Sequence, residues 1–338
     1  MSNLKHIVLL ILGVGVGWYT LSAKPIELPA KDSFKMPPRI IRACCSFGYN
    51  LRLKGIPFVK ISQIVSRTNV GNHKYLGGND ERNGIIYSRL GGFIDMAHLR
   101  DQADKTAYFY SLFTQIKNEG FEKIKLAKEG GKGTLYLKSL NKLSPHDIAQ
   151  LAGRVSYDLS VWHEIATGFG VSSIPLISER FSSFSVEDVY SNLLGVILGI
   201  KAIESDLPYE EAMTKFIDET LCNLEGAKTE SETIAAYDLV KYLWWTNEVG
   251  LPDNGITLAR NYSFFPDVIP MLIPDSLQKT ICPAILSVPV ELANGEPLTS
   301  YYTIKYIVGR KFPASIKREI TQNDFAAIID EISKVLSN

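Results

Sequence analysis

His98 and His163 stand beside carboxylates in buried-looking helical stretches, and among the five histidines they are the residues best suited to acid–base or metal chemistry. His163 is followed directly by Glu164. His98 has Asp95 and Asp101 three residues away on either side. Residues three apart share one face of a helix, so we expect a carboxylate beside the His98 ring. Imidazoles and carboxylates are the usual general acids and bases, and they also bind zinc.

The stretch Trp162–Gly170, WHEIATGFG, contains half of the zinc-peptidase motif His-Glu-x-x-His. In that motif two histidines one turn apart bind the metal, but position 167 is Thr here. A catalytic zinc needs three protein ligands and one open position, which His98, His163 and one carboxylate would supply. Glu164 would then be the base that activates water. The candidate carboxylate ligands are Asp101, Glu179 and Asp188.

Three interpretations of these residues stay open. They bind a metal, they perform acid–base chemistry without one, or each histidine is a core residue bonded to a neighbouring helix. Glu179 lies in a loop rich in hydroxyl groups, ERFSSFS, just ahead of a predicted helix. A glutamate with a raised pKa can protonate the leaving group of a glycan. The candidate catalytic residues are therefore Glu164 and Glu179.

Capping residues predict the helix that carries His163. Ser144 and Asp147 form a capping-box pattern, with Pro145 at the first helical position. Gly168 and Gly170 mark the end of the helix. Its apolar face follows helical spacing through Ile148, Leu151, Ala152, Val155, Leu159 and Trp162.

Other segments predict an α+β fold, a mainly helical single domain with a few short strands. Further helices are expected over about 95–117, 186–203, 206–224, 230–245 and 322–336, and Thr321 with Asp324 is expected to cap the last of them. Strands are expected at 85–87, 287–292 and 301–308, and 122–127 should pair with 134–137. Ser185 is expected to cap the second of these helices.

The N-terminus predicts export. Lys5 and His6 precede an apolar run, Ile7–Trp18, which fades by Ala23. This pattern is typical of a signal peptide or of a single membrane anchor, and residues 24–40 resemble a linker. The expected organisation is a signal or anchor at 1–23, a linker at 24–40 and one α+β domain at 41–338. The expected location is the periplasm, or the inner membrane with the domain exported.

The charge composition of the chain limits the classes of partner that it can bind. Lys plus Arg and Asp plus Glu both total 36, so the chain lacks the basic excess of a nucleic-acid binder. Contact with the membrane through the N-terminal segment and with an envelope peptide or glycan is expected instead. An exported chain with an even number of cysteines permits disulfides. The candidates are Cys44, Cys45, Cys222 and Cys282.

Four phrases together resemble an uncharacterised bacterial family of exported proteins, domain of unknown function 4056. They are CCSFGYNL (Cys44–Leu51), GGFIDMAHLRDQAD (Gly91–Asp104), WHEIATGFG (Trp162–Gly170) and SERFSSFSVEDVYSNLLG (Ser178–Gly195). The resemblance implies an envelope location and supplies no activity. The leading hypothesis is an envelope hydrolase, with zinc as its candidate cofactor, that acts on a peptide or peptidoglycan-like substrate. The alternative is a non-catalytic envelope protein whose His and Glu pairs form a polar network in the core.

Overall fold

The computed structural model describes residues 42, 46–54, 56–60, 63–118, 122–172, 179–277 and 281–336. The predicted signal or anchor and the linker lie outside these residues. Within them, no helix combines the length and apolar character that crossing a bilayer requires. The helices are α1 (Met96–Ile116), α2 (Pro145–Gly168), α3 (Asp188–Ile203), α4 (Tyr209–Asn223), α5 (Glu230–Val240) and α6 (Phe325–Leu336).

The strands are short and antiparallel where they pair. One four-stranded sheet has the order β10-β9-β6-β5. A separate hairpin, β3–β4, leads directly into α1. The strands are β1 (Arg52–Leu53), β2 (Ile56–Lys60), β3 (Ile85–Ser88), β4 (Gly92–Asp95), β5 (Glu122–Lys125), β6 (Gly131–Leu137), β7 (Asp267–Val268), β8 (Leu286–Ser287), β9 (Tyr302–Val308) and β10 (Glu319–Thr321).

Helices α1, α2 and α3 pack on one another and form the centre of the fold. Two glycines let α3 approach α1 closely. A Cβ added at Gly195 would lie 2.0 Å from the Leu99 carbonyl oxygen, and one at Gly199 would lie 2.9 Å from the Ala103 Cα. Any larger residue at Gly195 would therefore push the two helices apart.

The sheet packs on α2 through aromatic stacking. Trp162 is fully buried, and its ring lies 4.0 Å from that of Tyr306 on β9. The Phe312 ring stacks nearly parallel to it at 5.6 Å. This stack fixes the rotation of α2 about its axis, so it also fixes the direction of the neighbouring His163 and Glu164 side chains.

The predicted α+β class and single domain are confirmed. The caps also form as predicted at both ends of α2. Ser144 and Asp147 make the reciprocal capping box, and Gly170 follows the helix with a φ of +81°. The pairing of the predicted strands near 122 and 134 is confirmed as β5–β6.

Three predicted boundaries were wrong. Helix α3 starts at Asp188, and Ser185 does not cap it, because the Ser185 hydroxyl donates to Glu187 instead. Helix α5 ends at Val240 rather than near 245, where the chain turns through Tyr242 at a φ of +63°. The strand expected over 287–292 is only two residues long, since proline at 289 cannot donate to a ladder.

Candidate functional site

His98 pairs with Asp188 where the first turns of α1 and α3 meet. The His98 Nδ1 lies 3.0 Å from an Asp188 carboxylate oxygen, and both side chains are almost buried. The contact is electrostatic, because the ring is not aligned for a hydrogen bond to that oxygen. A carboxylate at this distance favours a proton on Nδ1. Asp95 caps α1 instead and accepts from the backbone N–H groups of Ala97 and His98.

His163 pairs with Glu129, which lies in the turn ahead of β6. The His163 Nδ1 is 2.6 Å from a Glu129 carboxylate oxygen. The backbone carbonyl of Glu129 accepts a hydrogen bond of 3.0 Å from Trp162, so the turn is tied to α2 at two points. The His163 side chain is 31% exposed against 11% for His98, which makes it the more accessible imidazole.

Glu164 is buried within electrostatic reach of both imidazoles. Its Oε2 accepts a 2.6 Å hydrogen bond from the backbone N–H of Phe184. Burial, with a contribution from nearby Asp188, raises the pKa of Glu164 to about 7. His163 and His98 both oppose this rise, which places Glu164 near the two histidine–carboxylate pairs. The group therefore exchanges a proton near neutral pH.

The loop that covers Glu164 is held in an unusual backbone conformation. Phe184 has a φ of +57°, in the left-handed region that a bulky residue rarely adopts. Its N–H is fixed by Glu164. Arg260 donates to the backbone carbonyls of Ser183 and Arg180 and so clamps the preceding residues. The conformation persists because these contacts determine it from two sides.

Two further buried carboxyl groups adjoin this cluster. Burial, partly offset by His98, raises the pKa of Asp95 to about 6. Burial and then Asp188 raise the pKa of Glu187 well above that of an ordinary glutamate. Glu187 accepts from the Ser185 hydroxyl through Oε2 at 2.6 Å, whereas its Oε1 has no hydrogen-bond partner among the described residues. The site is therefore rich in carboxyl groups that are protonated at unusually high pH.

In the part of the chain that the structure describes, no group of three or more His, Cys, Asp or Glu side chains is arranged to hold a metal ion. The Nδ1 atoms of His98 and His163 face different carboxylates, those of Asp188 and Glu129. The predicted ligands therefore do not form a ready-made metal site among these residues.

Asp101, a predicted metal ligand, lies in a different cluster. Its carboxylate accepts from Arg42 at 2.8 Å. Arg42 is buried and also donates to Glu81 at 2.6 Å and contacts Asp104 at 3.0 Å. Helix α1 thus carries two polar clusters, one at its first turn with His98 and one further along with Asp101.

The remaining candidates lie apart from one another. Glu179 is half-buried at the start of the loop over Glu164, and its carbonyl accepts from the backbone of Ser182 at 3.1 Å. Cys222 and Cys282 are exposed free thiols, so neither forms the predicted disulfide in the structure. The other two candidate cysteines, at 44 and 45, lie outside the described residues.

Sequence reasoning missed Glu129 and Arg260. Glu129 is separated from His163 by 34 residues in the chain. The residues around Glu129 predict only a glycine-rich turn and no functional site. Arg260 lies 77 residues from the carbonyl it clamps. No local spacing could have indicated either contact.

A family model described as "Protein of unknown function (DUF4056)" matches residues 32–274. The chain belongs to this family. The matched region contains both histidine–carboxylate pairs, Glu164 and the loop that covers it. No curated protein and no solved structure matches the chain.

Proposed function

We propose that this member of the DUF4056 family is a hydrolase in which Glu164 is the general acid and the His98–Asp188 pair is the general base. The observation that carries the proposal is one buried carboxyl group within electrostatic reach of two histidine–carboxylate pairs. Groups whose environments move their pKa values toward neutrality are typical of acid–base sites.

The chemistry balances with the residues of this chain alone. A water molecule gives a proton to the His98 imidazole as the water oxygen bonds to the electrophilic atom of the substrate. Asp188, next to Nδ1, stabilises the imidazolium that forms. Glu164 gives its proton to the leaving group as the bond to that group breaks. The proton on His98 then returns to Glu164 through solvent, which restores the starting state.

His163 has a different role in this proposal, because its ring is more exposed and Glu129 holds it in place. In this proposal it is the imidazole that contacts the substrate. Glu129 is its positioning residue. His163 also lowers the pKa of Glu164, which helps to keep the pKa of that carboxyl group near 7.

A specific observation favours the competing view that these groups only stabilise the fold. The Glu164–Phe184 hydrogen bond holds the covering loop in its left-handed conformation. Glu164→Gln separates the two views, because the amide oxygen still accepts from Phe184 but the group cannot protonate a leaving group. The proposal expects a loss of turnover of roughly 10²–10⁴-fold on a panel of esters, amides and glycosides. An unchanged rate with an unchanged fold would support the purely structural role.

Zinc assistance is a separate proposal for the same residues. The His98 and His163 imidazoles and a carboxylate would hold the ion, and its chemistry would be to activate the attacking water. Metal analysis of the purified protein tests it, and one zinc per chain would support it. The envelope location and a peptide or peptidoglycan-like substrate likewise remain proposals that rest on the N-terminal sequence.

A further inference from the structure

We infer that a buried cluster of carboxylates is a binding site for a guanidinium group, and that Arg42 fills it as a ligand attached to the chain's own N-terminal segment. The carboxylates are those of Glu81, Asp101 and Asp104. The ligand class is an alkylguanidinium, which is the chemistry of an arginine side chain. The site lies beyond the first turn of α1, and the proposed hydrolysis uses none of its residues.

The contacts of Arg42 match the donors that a guanidinium offers. Its Nε donates to Glu81 Oε2 at 2.6 Å, and its Nη2 donates to Glu81 Oε1 at 2.9 Å. This is the two-pronged pairing that a planar guanidinium forms with a carboxylate. Nη1 donates to Asp101 at 2.8 Å, while Nη2 also donates to the Lys74 carbonyl at 2.8 Å and lies 3.0 Å from an Asp104 oxygen. An ammonium group lacks the planar fork and could not make this set of contacts.

The acceptors of the site are held by bonds that do not involve Arg42. Asp104 accepts from the Tyr209 hydroxyl at 3.0 Å and from the backbone N–H of Leu76 at 2.9 Å. Glu81 accepts from the backbone N–H of Lys74 at 2.8 Å. Two of the three carboxylates are therefore oriented before any guanidinium arrives.

Helix α4 fixes the loop over 73–81, which carries Glu81 and the Lys74 carbonyl. Glu210, in the first turn of α4, accepts from the backbone N–H of Tyr75 at 3.0 Å and from Lys74 Nζ at 2.9 Å. The Thr214 hydroxyl accepts from the backbone N–H of residue 73 at 3.0 Å. Because the loop is attached to α4 at these points, the site should keep its shape when the Arg42 side chain is removed.

The other nearby side chains do not replace the Arg42 guanidinium. Arg100 Nη1 lies 3.8 Å from Glu81 Oε2, and its Nη2 donates to backbone carbonyls instead. His73 contacts Asp104 through Nε2 at 3.0 Å. Its Nδ1 is buried 3.7 Å from Glu81 and has no hydrogen-bond partner among the described residues. Neither side chain spans the three carboxylates, so they lack a common cation without Arg42.

Asp101 depends most on Arg42. It is buried, and in the part of the chain that the structure describes its carboxylate accepts a hydrogen bond from Arg42 alone. Lys105 is partly exposed and acts on Asp101 through electrostatics. A buried carboxylate that loses its hydrogen-bonded cation is costly. The vacated site should therefore bind a ligand that is both cationic and a multiple hydrogen-bond donor.

The experiment is a chemical rescue of full-length Arg42→Ala. The substitution deletes Cγ and Cδ together with the guanidinium, and ethylguanidinium supplies the same atoms as a free ligand. We expect millimolar ethylguanidinium to raise the Tm of the variant in a saturable way, by roughly 2–4 °C at about tenfold above its Kd. Wild type should not respond, because its own arginine is tethered to the site at a high effective concentration.

Three controls separate a guanidinium site from a general need for positive charge. Ethylammonium has the same charge but no planar fork, so it should raise the Tm of Arg42→Ala much less. Arg42→Ala combined with Asp101→Asn lacks one carboxylate of the site and should respond more weakly to ethylguanidinium. Arg318→Ala, which removes an exposed arginine, should show no response.

If Arg42→Ala is unfolded in buffer, the readout is recovery of its far-ultraviolet circular dichroism spectrum when ethylguanidinium is added. Recovery would support the site in the same way as a rise in Tm. Equal effects of ethylguanidinium and ethylammonium would overturn the guanidinium site and reduce the cluster to a general ion pair. The absence of any effect of ethylguanidinium, on Tm or on recovery, would overturn it as well.

Discussion

Replacing Glu164 by Gln should stabilise the protein at high pH and leave it unchanged at low pH. The pKa of Glu164 is about 7 in the folded protein against 4.5 for an ordinary glutamate. The folded state therefore binds more protons than the unfolded state, and stability falls as pH rises through this window. Each unit of difference between the folded and the ordinary pKa corresponds to about 1.36 kcal/mol. Deprotonation of Glu164 above pH 7 therefore lowers the free energy of unfolding by about 3 kcal/mol.

The glutamine variant escapes this cost, since it stays neutral at every pH and its amide oxygen still accepts from Phe184. The free energy of unfolding of both proteins is measured in urea from about pH 4.5 to 8.5. The free energy of unfolding of the variant minus that of wild type should be near zero at the acid end of this range and reach about 3 kcal/mol at the alkaline end. For a domain of this size that difference corresponds to roughly 5 °C in Tm.

Two features make the comparison selective. Asp95 also has a pKa raised by burial, to about 6, but it is present in both proteins and largely cancels in the difference. Glu291→Gln, the same change at an exposed carboxylate, controls for the loss of one surface charge. A flat difference, or a variant that is less stable at pH 8 than wild type, would refute the view that Glu164 is a buried acid held near neutrality.

The other predictions concern the rest of the chain. Arg42→Met should lower the free energy of unfolding in urea by about 3–5 kcal/mol, because it leaves buried carboxylates without their cation. Arg318→Met at an exposed position is the control, and a loss at Arg42 as small as the loss at Arg318 would contradict the prediction. A reporter enzyme fused after residue 40 should be active only outside the cytoplasm, and cytoplasmic activity would disprove export. Mass spectrometry without reductant should find Cys222 and Cys282 as free thiols, whereas a bridge to either would contradict the structure.

Local signals predicted the parts of the fold that local contacts decide. The two capping boxes, Ser144 with Asp147 and Thr321 with Asp324, form as expected because each needs only residues three apart. The start of α3 could not be predicted in the same way. Ser185 has the right spacing to cap it, but the buried carboxyl group of Glu187 competes for the hydroxyl.

The residues of the candidate site also divide into those that local spacing predicts and those whose partners are distant in sequence. The sequence indicated His98, His163 and Glu164, and the structure brings both histidines within electrostatic reach of Glu164. Spacing alone also placed Asp101 beside His98. That expectation ignored Arg42, which lies 59 residues away in the chain and draws the Asp101 carboxylate to itself. Partners so distant in sequence leave no periodic trace.

The buried guanidinium of Arg42 has a mechanical consequence. It ties the chain at residue 42 to Asp101 and Asp104 on α1, and to Glu81 in the preceding loop. Force applied at residue 42 would therefore act on α1 through these ion pairs. The first turn of the same helix carries His98. A force on Arg42 would therefore act on the helix that positions the His98–Asp188 pair.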